Sequence, residues 1–207
     1  EHNYPDQGNF KVTSTMIRDE DVLRTKLGDD AFEAKYDSLE GLARIKALYQ
    51  DAKPLYAEQG LVRQLSVDNE IAIPVNKVVH LLVTSSDVIH AWTIPSFGSK
   101  LDAVPGRTMA TWFKATKTGV YYGQCSVLCG RDHSSMPIAV RVVEQAAFDQ
   151  WVAAAKARKW DDARKILLAA TIPGKQPKFA LVGKPKVGKP QVETLKAGKS
   201  NTQLLPQ

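Results

Sequence analysis

The chain contains the sequence QCSVLCGRDHSSMP at residues 124–137, and this stretch holds its only two cysteines, Cys125 and Cys129. His133 and Met136 lie in the same stretch, so two thiols, one imidazole and one thioether are close together in the sequence. Thiolates and thioethers are soft ligands that favour copper, and imidazole binds several transition metals. The stretch therefore predicts a metal-binding loop.

A second imidazole lies upstream, at His90 within the sequence DVIHAW of residues 87–92. A mononuclear blue-copper site uses two histidines, one cysteine and a weak axial methionine. This chain offers one more cysteine than such a site needs, so its five donor side chains suit two copper ions bridged by two thiolates.

Simpler interpretations of the same residues exist. His90 alone is typical of a buried structural histidine, and Met136 alone of a core residue. His133 could complete a zinc site with the two thiols, although zinc has little use for a thioether. A disulfide between the two cysteines would close a very short loop, which removes little chain entropy. Two further histidines, His2 and His80, are interpreted as structural.

These residues lie within a longer pattern that resembles the copper-A domain of cytochrome c oxidase subunit II. The resemblance is dense from about residue 65 to residue 143 and thin elsewhere. It rests on an ordered set of motifs: YPDQGNF at 4–10, VDN at 67–69, SDVIHAW at 86–92, KLDAVPGR at 100–107 and GVYYGQC at 119–125.

The resemblance implies which residues hold a dinuclear copper centre. The expected ligands are His90, Cys125, Cys129, His133 and Met136, with the backbone carbonyl of Val127 as a further axial donor. In the resembled family, residue 127 is usually a glutamate that helps to hold magnesium. We therefore expect the magnesium site to be absent, weakened or completed by another subunit.

The resemblance also implies a function. The subunit is where electrons enter cytochrome c oxidase: the copper centre accepts them from cytochrome c and passes them to haem a of the catalytic subunit. The whole assembly is a proton-translocating oxidoreductase of the respiratory chain, and this chain alone is expected to show no turnover. The expected partners are cytochrome c, the haem-bearing catalytic subunit and other oxidase subunits.

The resembled subunit normally begins with a two-helix membrane anchor. No segment of this chain approaches the about 18 consecutive apolar residues that a membrane helix needs. The anchor is therefore expected to have been removed or to be a separate polypeptide. The chain is expected to be the extramembrane domain of an inner-membrane complex, facing the mitochondrial intermembrane space or the bacterial periplasm.

Two further groups of residues are interpreted through the resemblance. Asp102 and Arg107 are expected at the contact with the haem-bearing subunit, and Trp92 is expected to pack over the copper site. Three acidic residues are candidates for docking cytochrome c, namely Asp87, Asp68 and Glu70.

Two alternative functions share some of these features. The copper-A domain of nitrous oxide reductase accompanies a propeller domain for which this chain has no length. A copper chaperone of the Sco type also combines two cysteines at this spacing with a histidine, but in a thioredoxin-like context and with the histidine far downstream. Here His133 and Met136 follow the cysteines at once, in a β-rich context.

The net charge of +6 is concentrated at one end of the chain. Residues 171–207 contain seven of the 28 basic residues and one of the 22 acidic residues, so the remainder is neutral. Proline and glycine separate the lysines of this tail, and aromatic residues are almost absent from it. This pattern does not favour nucleic-acid binding, and we interpret the tail as an extended segment that lies over partner subunits.

The pattern of short β-rich runs with proline and glycine between them predicts a mainly β fold. With the resemblance, we expect a cupredoxin-like Greek-key β-barrel or sandwich with an inserted helical segment, C-terminal helices and an extended tail. The predicted regions are a first strand at 1–17, a helical insertion at 18–64, the copper-A core at 65–145, helices at 146–170 and the tail at 171–207.

Within the insertion, Ser38 is expected to cap a helix that runs to about Lys53 and is stopped by Pro54. Its buried face is expected to comprise Leu39, Leu42, Ile45 and Tyr49. Strands are predicted at 71–75, 78–83, 108–115 and 138–143, and before the cysteine loop at 121–122.

Overall fold

The structure is a computed structural model that describes residues 1–170 and 201–206. The chain divides into two compact units. Of the described residues, 1–16, 65–170 and 201–206 belong to the first unit, and 17–64 form the second. The tail hypothesis falls mainly on residues 171–200, outside the described part of the chain.

The first unit is a β-sandwich with two helices. Its strands are β1 (His2–Tyr4), β2 (Phe10–Val12), β3 (Ile71–Pro74), β4 (Val78–Thr84), β5 (His90–Ile94), β6 (Ser99–Ala103), β7 (Met109–Lys114), β8 (Gly119–Gln124), β9 (Pro137–Val143) and β10 (Asn201–Pro206). They form a five-stranded sheet in the order β2-β1-β10-β4-β7, a three-stranded sheet β3-β9-β8 and a two-stranded sheet β5-β6. Within the described residues, the sheets do not join into a closed barrel. The prediction of a mainly β, cupredoxin-like fold is confirmed in its sandwich form.

One core holds the sandwich together. Side chains from the sheets, including Leu81, Ile94 and Val140, are almost completely buried in a single apolar cluster. The cluster also receives Phe148 and Trp151 from a helix that follows the last core strand. This helix spans Gln145–Lys156, and a second one spans Trp160–Ala169, in agreement with the sequence pattern.

The opening segment differs from its prediction, because it forms two short strands instead of one. β1 and β2 pair antiparallel, with Tyr4 opposite Phe10. Between them, Gly8 and Asn9 have positive φ angles of 99° and 55°, and the Asn9 amide donates to the Tyr4 carbonyl. Glycine and asparagine tolerate this left-handed backbone, so the chain turns back here.

The last described segment belongs to the predicted tail and is a strand of this chain's own sheet. β10 lies between β1 and β4 and pairs with both, parallel to β1 and antiparallel to β4. It therefore supplies the backbone hydrogen bonds that connect the β1–β2 hairpin to the rest of the five-stranded sheet.

The second unit contains α1 (Asp19–Leu27), α2 (Asp29–Tyr36) and α3 (Gly41–Glu58). They enclose their own apolar cluster, which includes Phe32 and Tyr36, both fully buried. The interpretation of 18–64 as helical therefore agrees with the structure, but two details of α3 were wrong.

The first error concerns how α3 begins and ends. It begins after Glu40 and not after Ser38, and it continues through Pro54. An interior proline removes one helical hydrogen bond and costs about 3 kcal/mol. Burial of Leu55 and Tyr56 just beyond Pro54 offsets this cost, since a helix that stopped there would expose both side chains.

The second error concerns the buried face of α3. Leu42 and Ile45 are 73% and 60% exposed, and Tyr49 is also exposed, whereas Leu39 packs against the edge of the cluster. The buried positions are instead Leu48, Ala52, Leu55 and Tyr56. Both sets have helical spacing, so periodicity could not distinguish them. None of the helices in residues 1–170 has the combined length and apolarity of a membrane-spanning helix.

Candidate metal centre

The cysteine loop is an excursion between two paired strands. Gln124, the last residue of β8, is opposite Pro137, the first residue of β9. The chain between them must therefore leave and return at the same place. The Cys125 amide donates to the Met136 carbonyl at 3.2 Å, which closes the base of the loop. This closure brings the first and last predicted ligands of the loop side by side.

The loop concentrates its donor atoms around the two thiols. The Sγ atoms of Cys125 and Cys129 are 3.7 Å apart, and neither cysteine is in a disulfide. The Sγ of Cys129 lies 3.5 Å from Nδ1 of His133 and 3.4 Å from Sδ of Met136. The Sγ of Cys125 lies 3.3 Å from the backbone oxygen of Val127. All five groups of this loop that the sequence proposed as ligands thus face one another.

The fifth donor side chain comes from a different part of the sandwich. His90 is the first residue of β5, is 5% exposed, and places Nδ1 3.9 Å from the Sγ of Cys125. His90, Cys125 and Cys129 offer ligand atoms that all lie within 4.8 Å of one another. The six predicted ligand groups are therefore together in space. His90 joins the other five through tertiary structure, because it lies on a strand far from the loop in the sequence.

Asp87 orients the His90 ring. Nε2 of His90 lies 2.8 Å from Oδ1 of Asp87, and the Ser85 hydroxyl donates to the same oxygen at 2.8 Å. Burial opposes ionisation of Asp87, but the hydrogen bonds from His90 and Ser85 outweigh it and lower the pKa of the carboxyl. With Nε2–H donated to this carboxylate, Nδ1 carries the free lone pair that a metal needs.

Asp87 had been predicted as a docking residue for a redox partner, and its contact with His90 was not foreseen. The three-residue spacing between them was a visible signal, because a carboxylate near a ligand histidine is a common orienting partner. The side chain of Asp87 is 29% exposed, so it can reach the surface as well as His90.

The other two docking candidates are occupied within the chain. Glu70 is ion-paired with the buried Arg141. Asp68 accepts hydrogen bonds from the amides of Thr15 and Asn69 at 2.6 and 2.7 Å, and burial raises the pKa of its carboxyl. Both carboxylates thus stabilise the sandwich, which gives no support to a docking role.

A close approach of two strands fixes the distance between His90 and the cysteine loop. Gly123 lies in β8, two residues before Cys125, and a β-carbon there would be 1.8 Å from the carbonyl oxygen of Thr93 in β5. Only glycine allows this contact. The Thr93 hydroxyl also lies 2.6 Å from the Ser126 hydroxyl. Neither contact was predicted, although a glycine inside a strand is a signal of close backbone approach.

The environment of the thiols matters for metal loading. Burial, reinforced by the neighbouring Cys125, raises the pKa of the Cys129 thiol to about 11. Without metal, this thiol therefore keeps its proton at neutral pH, and a bound cation must displace it. Cys125 is itself buried, with 8% exposure.

Trp92 is buried beside the centre and stacks on Phe113 with ring centroids 5.8 Å apart. Its indole Nε1 has no hydrogen-bond partner among the described residues. Trp92 and the ligand residues border one cavity of about 450 Å³. The indole therefore lies near the predicted ligand residues, and its packing over a copper site stays a prediction.

Asp102 lies in β6, and Arg107 lies in the turn that follows this strand. Asp102 in β6 is opposite Ala91 of β5, one register position from the His90–Ala103 pair. Both Asp102 and Arg107 are exposed. They are free to meet another protein close to the His90 strand, and that role stays a prediction.

The donor set fits copper better than zinc. Two thiols 3.7 Å apart can each contact two ions, while each imidazole Nδ1 lies beside a different sulfur. The thioether of Met136 is a soft donor that zinc sites do not use. Such a donor set could fill the coordination positions of both ions and leave none open for a reactant, so the arrangement suits electron transfer.

Sequence comparison matches this part of the chain to a known family. The family described as cytochrome c oxidase subunit II, periplasmic domain, matches residues 45–143. A probable cytochrome c oxidase subunit 2 of Rickettsia bellii is 58% identical over 91 residues, which are 44% of this chain and 34% of the relative. The corresponding protein of Rickettsia felis is 42% identical over 150 residues, 72% of this chain and 36% of the relative. The chain thus spans about a third of the length of these relatives.

Solved structures agree with this comparison. The crystal structure of the periplasmic domain of subunit II of cytochrome oxidase from Bradyrhizobium japonicum is 44% identical with a TM-score of 0.53, and the match covers 75% of this chain and 84% of that one. A mixed disulfide intermediate between a thioredoxin-like protein and subunit II of cytochrome c oxidase matches at 43% identity and a TM-score of 0.50, covering 75% and 82%. The fold, the site and these relatives together show that the chain belongs to the cytochrome c oxidase subunit II family, in the region of its periplasmic domain.

Proposed function

We propose that this chain is the electron-entry domain of a cytochrome c oxidase. It would receive electrons from a cytochrome c and pass them to haem a of the catalytic subunit, through two copper ions held by the centre described above. The observation that carries the proposal is the 3.7 Å separation of the two Sγ atoms, each with its own imidazole neighbour. The copper pair, when bound, supplies a site that takes up and releases one electron.

Each residue has a distinct part in this proposal. Cys125 and Cys129 would bridge the two ions, and His90 and His133 would each bind one of them. Met136 and the carbonyl of Val127 would be weak axial donors. Asp87 would keep the His90 ring in place during electron transfer, so that little rearrangement accompanies the change in charge.

The centre has to be reduced before it can be filled. A disulfide between Cys125 and Cys129 would remove both bridging thiolates. A similar subunit II domain forms a mixed disulfide with a thioredoxin-like protein. We propose that a thioredoxin-like reductant is also a partner of this chain, because its two thiols are close enough to oxidise to a disulfide after a small movement.

The surroundings of the centre suggest how partners would bind. The described body is electrically neutral, since the net charge of +6 lies in the tail. Among the docking candidates, Asp87 differs because its side-chain partners, His90 and Ser85, belong to the surroundings of the centre. We therefore propose that cytochrome c docks with a weak dependence on salt, and that Asp102 and Arg107 face the catalytic subunit.

The proposal places the chain on the outer side of the membrane, in the periplasm or intermembrane space, within a proton-translocating oxidase. It also includes the absence of a magnesium ligand at residue 127, because valine has no carboxylate. A magnesium site at the subunit interface would be absent, weakened or completed by another subunit.

Electron paramagnetic resonance of the copper-loaded, oxidised domain tests this function. The expected result is two coppers per chain and one unpaired electron shared equally by two copper nuclei. A single-copper spectrum with one copper per chain would favour a chaperone, and stoichiometric zinc with no copper signal would favour a structural zinc site. Either of these results would overturn the proposal.

A further inference from the structure

We infer that Thr93 and Ser126 form a hydroxyl pair that positions His90 relative to the cysteine loop, and that both are positioning residues of the metal centre. The inference rests on the proposed dicopper function, which it extends to residues that do not bind metal. It concerns how the two separate sources of ligands are held in register.

The pair joins the two sources directly. Thr93 lies three residues after His90 on β5, and Ser126 is the residue after Cys125. Their hydroxyl oxygens are 2.6 Å apart, and either hydroxyl can donate. The contact therefore ties the strand that carries one imidazole to the loop that carries both thiols.

Thr93 makes a second contact with the same segment. Its carbonyl oxygen occupies the space that a side chain at residue 123 would take. The backbone of Thr93 thus meets the chain just before Cys125, while its hydroxyl meets the chain just after. These two contacts flank Cys125 on both sides, which limits how far its thiol can move from the Nδ1 of His90 at 3.9 Å.

The hydroxyl pair restrains the position of Cys125 and contributes little to the free energy of folding. Ser126 is exposed and Thr93 is half-buried, so water can replace the bond in an unfolded or loosened loop. A hydrogen bond of this kind adds little to folding. A movement of Cys125 by a few tenths of an ångström would nevertheless change metal–sulfur overlap, to which both copper retention and the electronic spectrum respond.

A double-mutant cycle on the copper-loaded domain tests the pair. The variants are Thr93→Val, which keeps the shape of the side chain, Ser126→Ala, and the double variant. The readouts are the rate of copper release to an excess chelator, the copper hyperfine pattern and the reduction potential. Thr93→Ser restores a hydroxyl, and Thr116→Val is the matched control at an exposed threonine between β7 and β8.

Each single variant is expected to release copper about fivefold faster and to make the hyperfine pattern unequal between the two nuclei. The double variant should be no worse than either single variant, Thr93→Ser should be close to wild type, and Thr116→Val should be unchanged. Additive effects, or wild-type spectra and rates in both single variants, would overturn the hydroxyl pair and leave the dicopper function intact. A wild-type domain without the shared two-copper signal would overturn both proposals.

Discussion

The two regions that carry the proposed ligands are built in opposite ways. The cysteine loop holds four of the donor side chains in residues 125–136, and the only regular element between its paired ends is a single 3₁₀ turn at His133–Ser135. The His90 segment contributes one donor, but it is a buried strand whose ring is held by Asp87. The loop contributes most of the proposed ligands, and the strand holds one proposed ligand in a fixed position relative to the loop. Such a centre depends on local sequence for its chemistry and on the sandwich for its geometry.

Loss of a bridging thiol should have the largest effect, because it removes the part of the centre that only the loop provides. Cys129→Ser replaces a soft thiolate by a hydroxyl that cannot bridge two coppers in the same way. We expect complete loss of the shared two-copper signal and at most one copper per chain, measured by metal analysis and electron paramagnetic resonance. Circular dichroism should be unchanged, because Cys129 is only half-buried. Retention of two equivalent coppers would show that the second sulfur is dispensable.

Separation of the two regions should have the next largest effect. Gly123→Ala would place a methyl group against the Thr93 carbonyl and force β8 away from β5. We expect the free energy of unfolding of the apo domain to fall by about 3 kcal/mol in urea titrations.

Gly106→Ala is a suitable control for that experiment. Gly106 has a φ of 73°, and no atom beyond its two chain neighbours lies within 4 Å of its added β-carbon, so backbone strain is the only expected cost. This cost is about 1 kcal/mol. Equal destabilisation by the two substitutions would contradict the close approach of β5 and β8.

Loosening the strand side alone should have a smaller effect. In Asp87→Ala, Nε2 of His90 loses its acceptor and the ring can rotate, so we expect copper release to a chelator to be about tenfold faster. Asp87→Asn keeps an oxygen that can accept from Nε2 and should fall between wild type and alanine. If the alanine variant retained copper like wild type, the strand would not depend on its carboxylate for rigidity.

The smallest effect is expected at the edge of the loop. Met136 is half-buried, and its thioether is proposed as a weak donor. Met136→Leu keeps the apolar volume, so both coppers should remain bound, with a modest shift of the reduction potential measured by redox titration. Loss of one copper would show that the thioether is a principal ligand and that the two regions are less different than proposed.

The helical unit shows where sequence reasoning fails. Its helices follow from their composition, but α3 offers two apolar faces with the same spacing, and the buried one was chosen wrongly. Pro54 was also expected to end the helix, because local rules do not count the burial of Leu55 and Tyr56 beyond it. In both cases, tertiary packing outweighed a local preference worth only a few kcal/mol.

The strands around the centre also show that local sequence patterns predict only part of the fold. β3, β4, β7 and β9 follow from runs of β-branched and aromatic residues, whereas β5 and β6 were not predicted. The residues of β5 and β6 belong to motifs that were used for the His90 donor and for the family resemblance, and not for a strand pattern. Their pairing places His90 opposite Ala103 and Trp92 opposite Leu101. That register depends on contacts across the fold, which a local pattern does not contain.

The sequence by itself determined the chemistry of the proposed site: which donors exist, that three of the five are soft sulfur ligands, and that together they exceed the set of a mononuclear blue-copper site. Their types and close spacing in the cysteine loop are local properties of the chain. Only the tertiary structure decided how the distant imidazole reaches the thiols, since that depends on Gly123 admitting Thr93 and on Asp87 turning the His90 ring. A close backbone approach and a ring orientation arise from packing between strands far apart in sequence, and no local pattern encodes them.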